Sequence, residues 1–306
     1  MDRRQVTGIL FTLFSTVCAG TAPIFGKLAY QAQVTPYTLV ALRTSLAALS
    51  LWGFYVLFWR HCIPIRGSAL AGCVAMGVAN GLGSLMYYPG LARIDASLAQ
   101  LLYALYPVWV FVFLSAAGQP VSRLAVLRLG IAIVGVYLLT FTPGARFDFL
   151  GAMLLVAAGA AYGWHLVLGQ WTLANVDSRT VALYTITTMA VVVDVARLSM
   201  GDPVEPISPL GWVAIAGLAL IAMALARLLV FAGLSRLGGI QTSILSVGEL
   251  VVALILAFLL LGERMTAMQW TGALLIGTSM LMIGRESNLE LEGWEQWLAA
   301  EMKKEQ

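Results

Sequence analysis

The sequence predicts an all-α polytopic membrane protein: ten transmembrane helices in two inverted five-helix repeats. Three observations lead there. The chain of 306 residues is 60% hydrophobic and only 11% charged, with a mean hydropathy of +0.88, whereas soluble domains carry about 25% charged residues. Apolar segments of roughly 20 residues, the length that crosses a hydrocarbon core of ~30 Å, follow one another with short polar breaks. The first half of the chain also recurs in the second, 143 residues later.

In chain order the predicted spans are 5–28, 36–59, 68–91, 96–117, 122–142, 149–172, 179–199, 209–235, 240–261 and 266–284. MDRRQ and the apolar run after it have the outline of a secretory signal. That run is repeated inside the chain, so it reads as a retained span. The breaks RHCIPIR at 60–66, TPGARFD at 142–148 and GDPVEPISP at 201–209 are too short to hold a soluble domain. Beyond the last span, Leu291, Trp294, Leu298 and Met302 recur at helical spacing among acidic neighbours. The tail 286–306 therefore reads as a cytoplasmic amphipathic helix on the membrane surface, or equally as a frayed end.

Glycines place the repeat. Gly8, Gly20 and Gly26 return as Gly151, Gly163 and Gly169, and Gly90-Leu91 with Arg93 return as Gly233-Leu234 with Arg236. GIAIVG at 130–135 matches GALLIG at 272–277. The repeats are then 1–145 and 146–285. Five spans is an odd number, so the second repeat is inverted relative to the first, as in many secondary transporters. Of the eighteen Lys and Arg, eleven fall on the cytoplasmic side and five outside when the N-terminus is placed inside; Arg43 and Arg227 lie within spans. Both termini are thus expected in the cytoplasm, in a bacterial inner membrane.

The pI of 8.8 and net charge of +3 do not suggest nucleic acid as a partner, because the basic residues are scattered between apolar spans. Cys18, Cys62 and Cys73 form no CxxC pair, so neither a disulfide framework nor a zinc site is indicated. HExxH, GxSxG and Walker A signatures are absent, and GLGSLM at 81–86 has Met86 where GxGxxG needs glycine. The expectation is no enzyme, no metal and no cofactor.

The strongest functional signal is a pair of opposite charges. Arg227 and Glu249 each lie eleven residues from Gly238-Gly239. If the two arms are helical, each charge is ~16 Å from that turn, near mid-membrane. A lone charge there costs roughly 2.5–3.5 kcal/mol. The first-half counterparts are Ser84 and Tyr106, so the pair exists once. The two charges serve a cavity that holds a zwitterion, with Glu249 as proton acceptor, or form a permanent salt bridge between two helices, or do not touch at all.

Other candidates carry two readings each. Ser246 joins the pair as a candidate substrate contact. Asn80, in GVANGLGS, bonds either substrate or a neighbouring helix; Gly77 and Gly81 make close helix packing possible there. Tyr103 and Tyr106 share a helix face and, with Tyr87, suit an aromatic cavity wall; Tyr87 and Tyr88 also suit an interfacial belt. His165 is a proton relay or a neutral helix-bonded imidazole, and Trp164 beside it faces cavity or lipid. Arg43 reads as a structural charge, and Lys27, at a span end, as a snorkelling one.

At family level, Lys27, Pro36 and Arg43 resemble the K…P…R spacing across the first two spans of EamA-type transporters, of the drug/metabolite transporter superfamily. SLAQLLYALYPVWVF at 97–111 is similar to that family's fourth span, and LLLGERMTAMQWTGALLIG at 259–277 to its Gly-Glu turn and final span. Two departures stand out: Leu250 follows Glu249 where the family often has proline, and Gly118-Gln119 stands where the second half has Gly262-Glu263. The resemblance runs from residue 5 to 285. It implies ten helices around a cavity built from spans three, four, eight and nine, and export of amino acids or similar metabolites. The expected partners are a small-molecule substrate and the lipid bilayer, in a monomer or weak dimer; export is either coupled to protons through Glu249 or uncoupled and facilitative. Rival readings are another solute, such as a nucleoside, polyamine, cationic drug or lipid-linked precursor, and a non-transporting membrane subunit or lipid-processing enzyme.

Overall fold

The structure, a computed structural model, describes residues 3–116, 148–173, 176–201, 206–237 and 248–278, with isolated positions between 127 and 138. Most of the expected fifth span, the tail over 286–306, the Gly238-Gly239 turn and Ser246 lie outside the described residues.

The described chain is helical, without strands. Its elements are α1 (Arg3–Gly20), α2 (Ala22–Gln31), α3 (Pro36–Phe58), α4 (Gly67–Arg93), α5 (Ala96–Tyr103), α6 (Tyr106–Ala116), α7 (Phe149–Leu173), α8 (Ser178–Met200), α9 (Pro209–Ala216), a π-helix (Gly217–Leu225), α10 (Ala226–Leu237), α11 (Gly248–Leu261) and α12 (267–278). Six helices among the described residues are long and apolar enough to cross a membrane, starting with Val6–Gln31, which joins α1 and α2. Span four is two short helices, and span nine is described over α11 alone.

Local chemistry sets the helix ends. Thr35 accepts a hydrogen bond from Thr38 N and Pro36 follows it, so α3 starts there. Ser208 and Pro209 do the same for α9. Asp177 accepts from Arg179 N, and Gly201, at φ +64°, closes α8 in the left-handed conformation that glycine tolerates. Large apolar residues line the outside: Leu49, Leu57, Phe58, Leu198, Leu259 and Leu274 are all well exposed. Threonines and serines lie inside, with Thr12, Ser15, Thr16, Thr44 and Thr185 buried. A soluble protein would reverse this arrangement; in lipid the backbone bonds stay within helices and the apolar face turns outward.

The two halves interlock. α4 packs along α7 and α8, α3 along α8 and the π-helix, and α1 along α10 and α11. Gly77 on α4 sits against Thr188 and the Thr185 carbonyl of α8, and Gly81 against Val192, so the GxxxG pair brings these two helices close.

Lys27 of α2 and the loops after α4 and α11 meet at one end of the bundle. Lys27 Nζ donates to Ile94 O. Glu263 accepts from Ala96 N at 2.7 Å, Ser97 N at 2.9 Å and Ser97 Oγ at 2.6 Å, capping α5. Arg93 pairs with Asp148 at 2.8 Å, and Asp148 also accepts from Gly151 N. Those bonds hold the Asp148 carboxyl below its ordinary 3.8, the Gly151 N–H foremost. Asp95 in the same loop is pushed up, first by loss of hydration and then by Glu263.

Candidate functional site

Span four breaks where the site needs it. Ala104 N still bonds Gln100 O, but Leu105 N tightens to Leu102 O, and α6 restarts at Tyr106. Pro107 follows, and proline has no N–H to return to the turn before it. The broken span lies against α7 at two glycines. A Cβ on Gly159 would meet Tyr103 O at 3.0 Å, and one on Gly163 would meet Tyr106 O and Trp109 Cβ at 3.0 Å. This close backbone approach places Tyr103 and Tyr106 beside Tyr162 of α7, with ring centroids 5.5 and 5.0 Å away. In span eight, nine residues of π-helix end at Leu225, immediately before the α10 turn that carries Arg227. Such i→i+5 stretches are rare and gather at functional sites.

Between these elements lies a cavity of about 410 Å³. Its described lining includes Arg43, Asn80, Tyr103, Tyr106, Arg227 and Glu249, with Ser84, Tyr87, Tyr88, Gln100 and Tyr162. A cavity of this size is typical of small-molecule sites. One side of the wall is a hydrogen-bonded series: Tyr87 OH donates to Gln100 Oε1 at 3.2 Å, and Gln100 Nε2 donates to Glu249 at 3.3 Å. Arg227 hydrogen-bonds the side chain of Tyr162, and lies near enough to Glu249 to act on it electrostatically. Tyr87 meets Tyr103 at 4.9 Å, so four tyrosines on four helices form one aromatic surface.

Of the candidate substrate contacts, Asn80, Tyr103, Tyr106, Arg227 and Glu249 all line the cavity. His165 and Trp164 take other positions. His165 is buried behind the wall, with Nδ1 3.0 Å from Met76 O and its ring stacked on Tyr162 at 5.4 Å. Trp164 is exposed on the outer face and meets Phe113 edge-on. Lys27 lies at the end of the bundle where Glu263 caps α5, bonded to Ile94 O. Arg43, read from sequence as a structural charge, lines the cavity, with Nη2 3.0 Å from Ser84 Oγ and its guanidinium 4.4 Å from the Tyr88 ring centre. Sequence reading passed over Gln100 and Tyr162. Both carried a signal: each lies three residues before a residue that was singled out, on the same helix.

The residues present offer no metal site: no cluster of three His, Cys, Asp or Glu occurs among the described residues. What the described lining offers is two guanidinium groups, a carboxylate and several tyrosine hydroxyls inside an apolar bundle.

Residues 6–141 and 149–285 each match the EamA-like transporter family. An uncharacterized transporter of Bacillus subtilis (strain 168), YcbK, is 24% identical over 284 residues, spanning 88% of this chain and 90% of that protein. A solved structure described only as the crystal structure of a protein superposes with a TM-score of 0.64 at 16% identity, over 91% of this chain and 96% of that one. That likeness shows a shared fold.

Proposed function

Because the chain belongs to the EamA-like transporter family, we propose that it exports a small polar metabolite, an amino acid foremost, by alternating access. The observation that carries this reading is the cavity: two guanidinium groups, one carboxylate and a tyrosine surface inside a bundle whose exterior is apolar. Ionisable residues are rare at membrane depth and usually mark a substrate or ion path.

The chain makes ten spans in two inverted repeats, with the site between them. The six long helices and the shorter apolar α5–α6 and α11 support that count, and the two successive family matches support the repeat. Residues 1–145 and 146–285 are the repeats and 286–306 a cytoplasmic tail. Both termini face the cytoplasm of a bacterial inner membrane. The end tied by Lys27, Glu263 and the Arg93–Asp148 pair then faces outside.

In this reading Glu249 releases its proton to one side and receives the substrate ammonium in its place, while Arg227 receives a carboxylate. Tyr103, Tyr106 and Asn80 shape the space between. His165 and Trp164 support the α7 wall through Tyr162 and α6. The test is reconstitution in liposomes loaded with single labelled amino acids, with efflux measured with and without a pH gradient. Efflux of a subset of amino acids is expected, with gradient dependence lost in Glu249→Gln. If no amino acid moves, the substrate assignment fails; if Glu249→Gln keeps full gradient dependence, the proton role fails.

A further inference from the structure

Arg43 sits at the cavity wall with its surroundings incompletely matched. It is buried, at 8% exposure. Its contacts are Ser84 Oγ at 3.0 Å, Met223 Sδ at 3.7 Å and the face of Tyr88 at 4.4 Å. All three are neutral, and the guanidinium Nε has no hydrogen-bond partner. A buried cation is normally paired with a carboxylate, and an unfilled N–H there is costly. Asp194, on neighbouring α8, accepts instead from Ser45 at 2.7 Å.

The charge count makes the same point. Among the described lining residues the charges are Arg43, Arg227 and Glu249. Its described lining therefore carries one positive charge in excess. Glu249 has Arg227 nearby, and among the described residues Arg43 has no acid of its own.

The repeat gives this excess a position. Ser84 is the first-half counterpart of Arg227, and Arg43 reaches across from α3 to bond Ser84. The cavity thus presents a guanidinium at each of two repeat-related places, with the carboxylate on one side. The counterpart of Arg43 itself is Ile186, buried and apolar.

We propose that Arg43 is a second anion-binding centre, and that the transported solute bears two acidic groups and one amine. One acid binds Arg227, the amine binds Glu249 and the second acid binds Arg43, filling Nε and neutralising the cavity. The proposal rests on the transport reading above and narrows its substrate class to α-amino dicarboxylates. Arg suits the role because its planar fork matches a carboxylate in two bonds.

The test compares L-glutamate with L-glutamine, which has the same shape and lacks the second charge. Affinities are measured on the detergent-purified full chain by ligand-dependent thermal stabilisation, and rates by efflux from liposomes. Wild type is expected to prefer glutamate at least tenfold. Arg43→Gln is expected to weaken glutamate at least tenfold and glutamine less than threefold, and Arg43→Lys to retain a preference for glutamate. Three results overturn the proposal: wild type prefers glutamine; Arg43→Gln weakens both ligands equally while its unliganded melting temperature is kept; or Arg43→Lys behaves as Arg43→Gln. If Arg43→Gln does not fold, the Arg43→Lys and wild-type comparisons decide. Movement of neutral amino acids without glutamate defeats this proposal alone. Movement of no amino acid defeats the transport substrate assignment as well.

Discussion

Gln100 carries no charge, yet it joins the first half of the chain to Glu249, the one acid in the described lining. Its amide oxygen accepts from Tyr87 and its amide nitrogen donates to Glu249. Gln100→Leu leaves a buried tyrosine hydroxyl and a carboxylate without that partner. Each orphaned group costs about 1–3 kcal/mol, so the melting temperature in detergent should fall and amino-acid efflux should slow more than in Gln100→Glu controls of similar stability. Tyr162→Phe is a gentler change. It removes the hydroxyl that Arg227 bonds and keeps the ring against Tyr103 and Tyr106. A lost hydrogen bond of about 1 kcal/mol should appear as a fivefold or so weaker substrate affinity with nearly unchanged stability, read by ligand-dependent thermal shift. Equal loss of stability and affinity would place Tyr162 in the packing rather than in the site.

Helix ends and glycine contacts decide whether those residues meet. α7 touches the broken span through Gly163, where an added methyl would press on Tyr106 O and Trp109 at 3.0 Å. Gly163→Ala should cost about 1–3 kcal/mol through overpacking and displace Tyr106 from the wall, so melting and transport should fall together. At the tied end, Glu263 fills donors that a helix start otherwise leaves open, and Glu263→Ala should cost about 1–2 kcal/mol. Its effect on transport should exceed that on stability if this end opens during the cycle, which a cysteine-accessibility assay in the α4–α5 loop would read. The Arg93–Asp148 pair responds to acid in one direction. The Asp148 carboxyl is held below 3.8 in the folded chain, so its contribution is intact above that value and lost as pH falls below it. Melting measured from neutral pH downward should show no change from this pair until that window, and Asp148→Asn should remove the acid-dependent step.

For the molecule as a whole, the arrangement is an apolar shell around a small charged interior. With eleven Lys and Arg assigned to one side and five to the other, reporter fusions at either terminus should read cytoplasmic, and a fusion in the 201–209 break should read external. An external C-terminus would overturn the ten-span count, because an even number of crossings returns the chain to the side it started from.

How much of this was legible beforehand follows from which forces are local. The membrane class was plain from composition, because lipid demands apolar stretches of fixed length. The candidates Arg227 and Glu249 were plain too, because a charge among apolar residues stands out without any structure. The roles of their neighbours were not. Tyr162, Trp164 and His165 lie within four residues on one helix, yet one lines the cavity, one faces outward and one is buried against Met76. Each step along a helix turns a side chain by about 100°, so a small rotation of α7 would exchange these surroundings. That rotation is fixed by Gly159 and Gly163 against the break in span four, a contact across more than fifty residues of chain. Arg43 shows the same limit: its spacing marked it as a charge inside a span, and only the approach of α4 set it beside Ser84 and into the cavity. By itself the sequence determined that the chain lies in a membrane and which side chains are too costly to be there without cause. Which of them face one another was decided by tertiary packing, since helix rotation and close approach depend on contacts between segments distant in the chain.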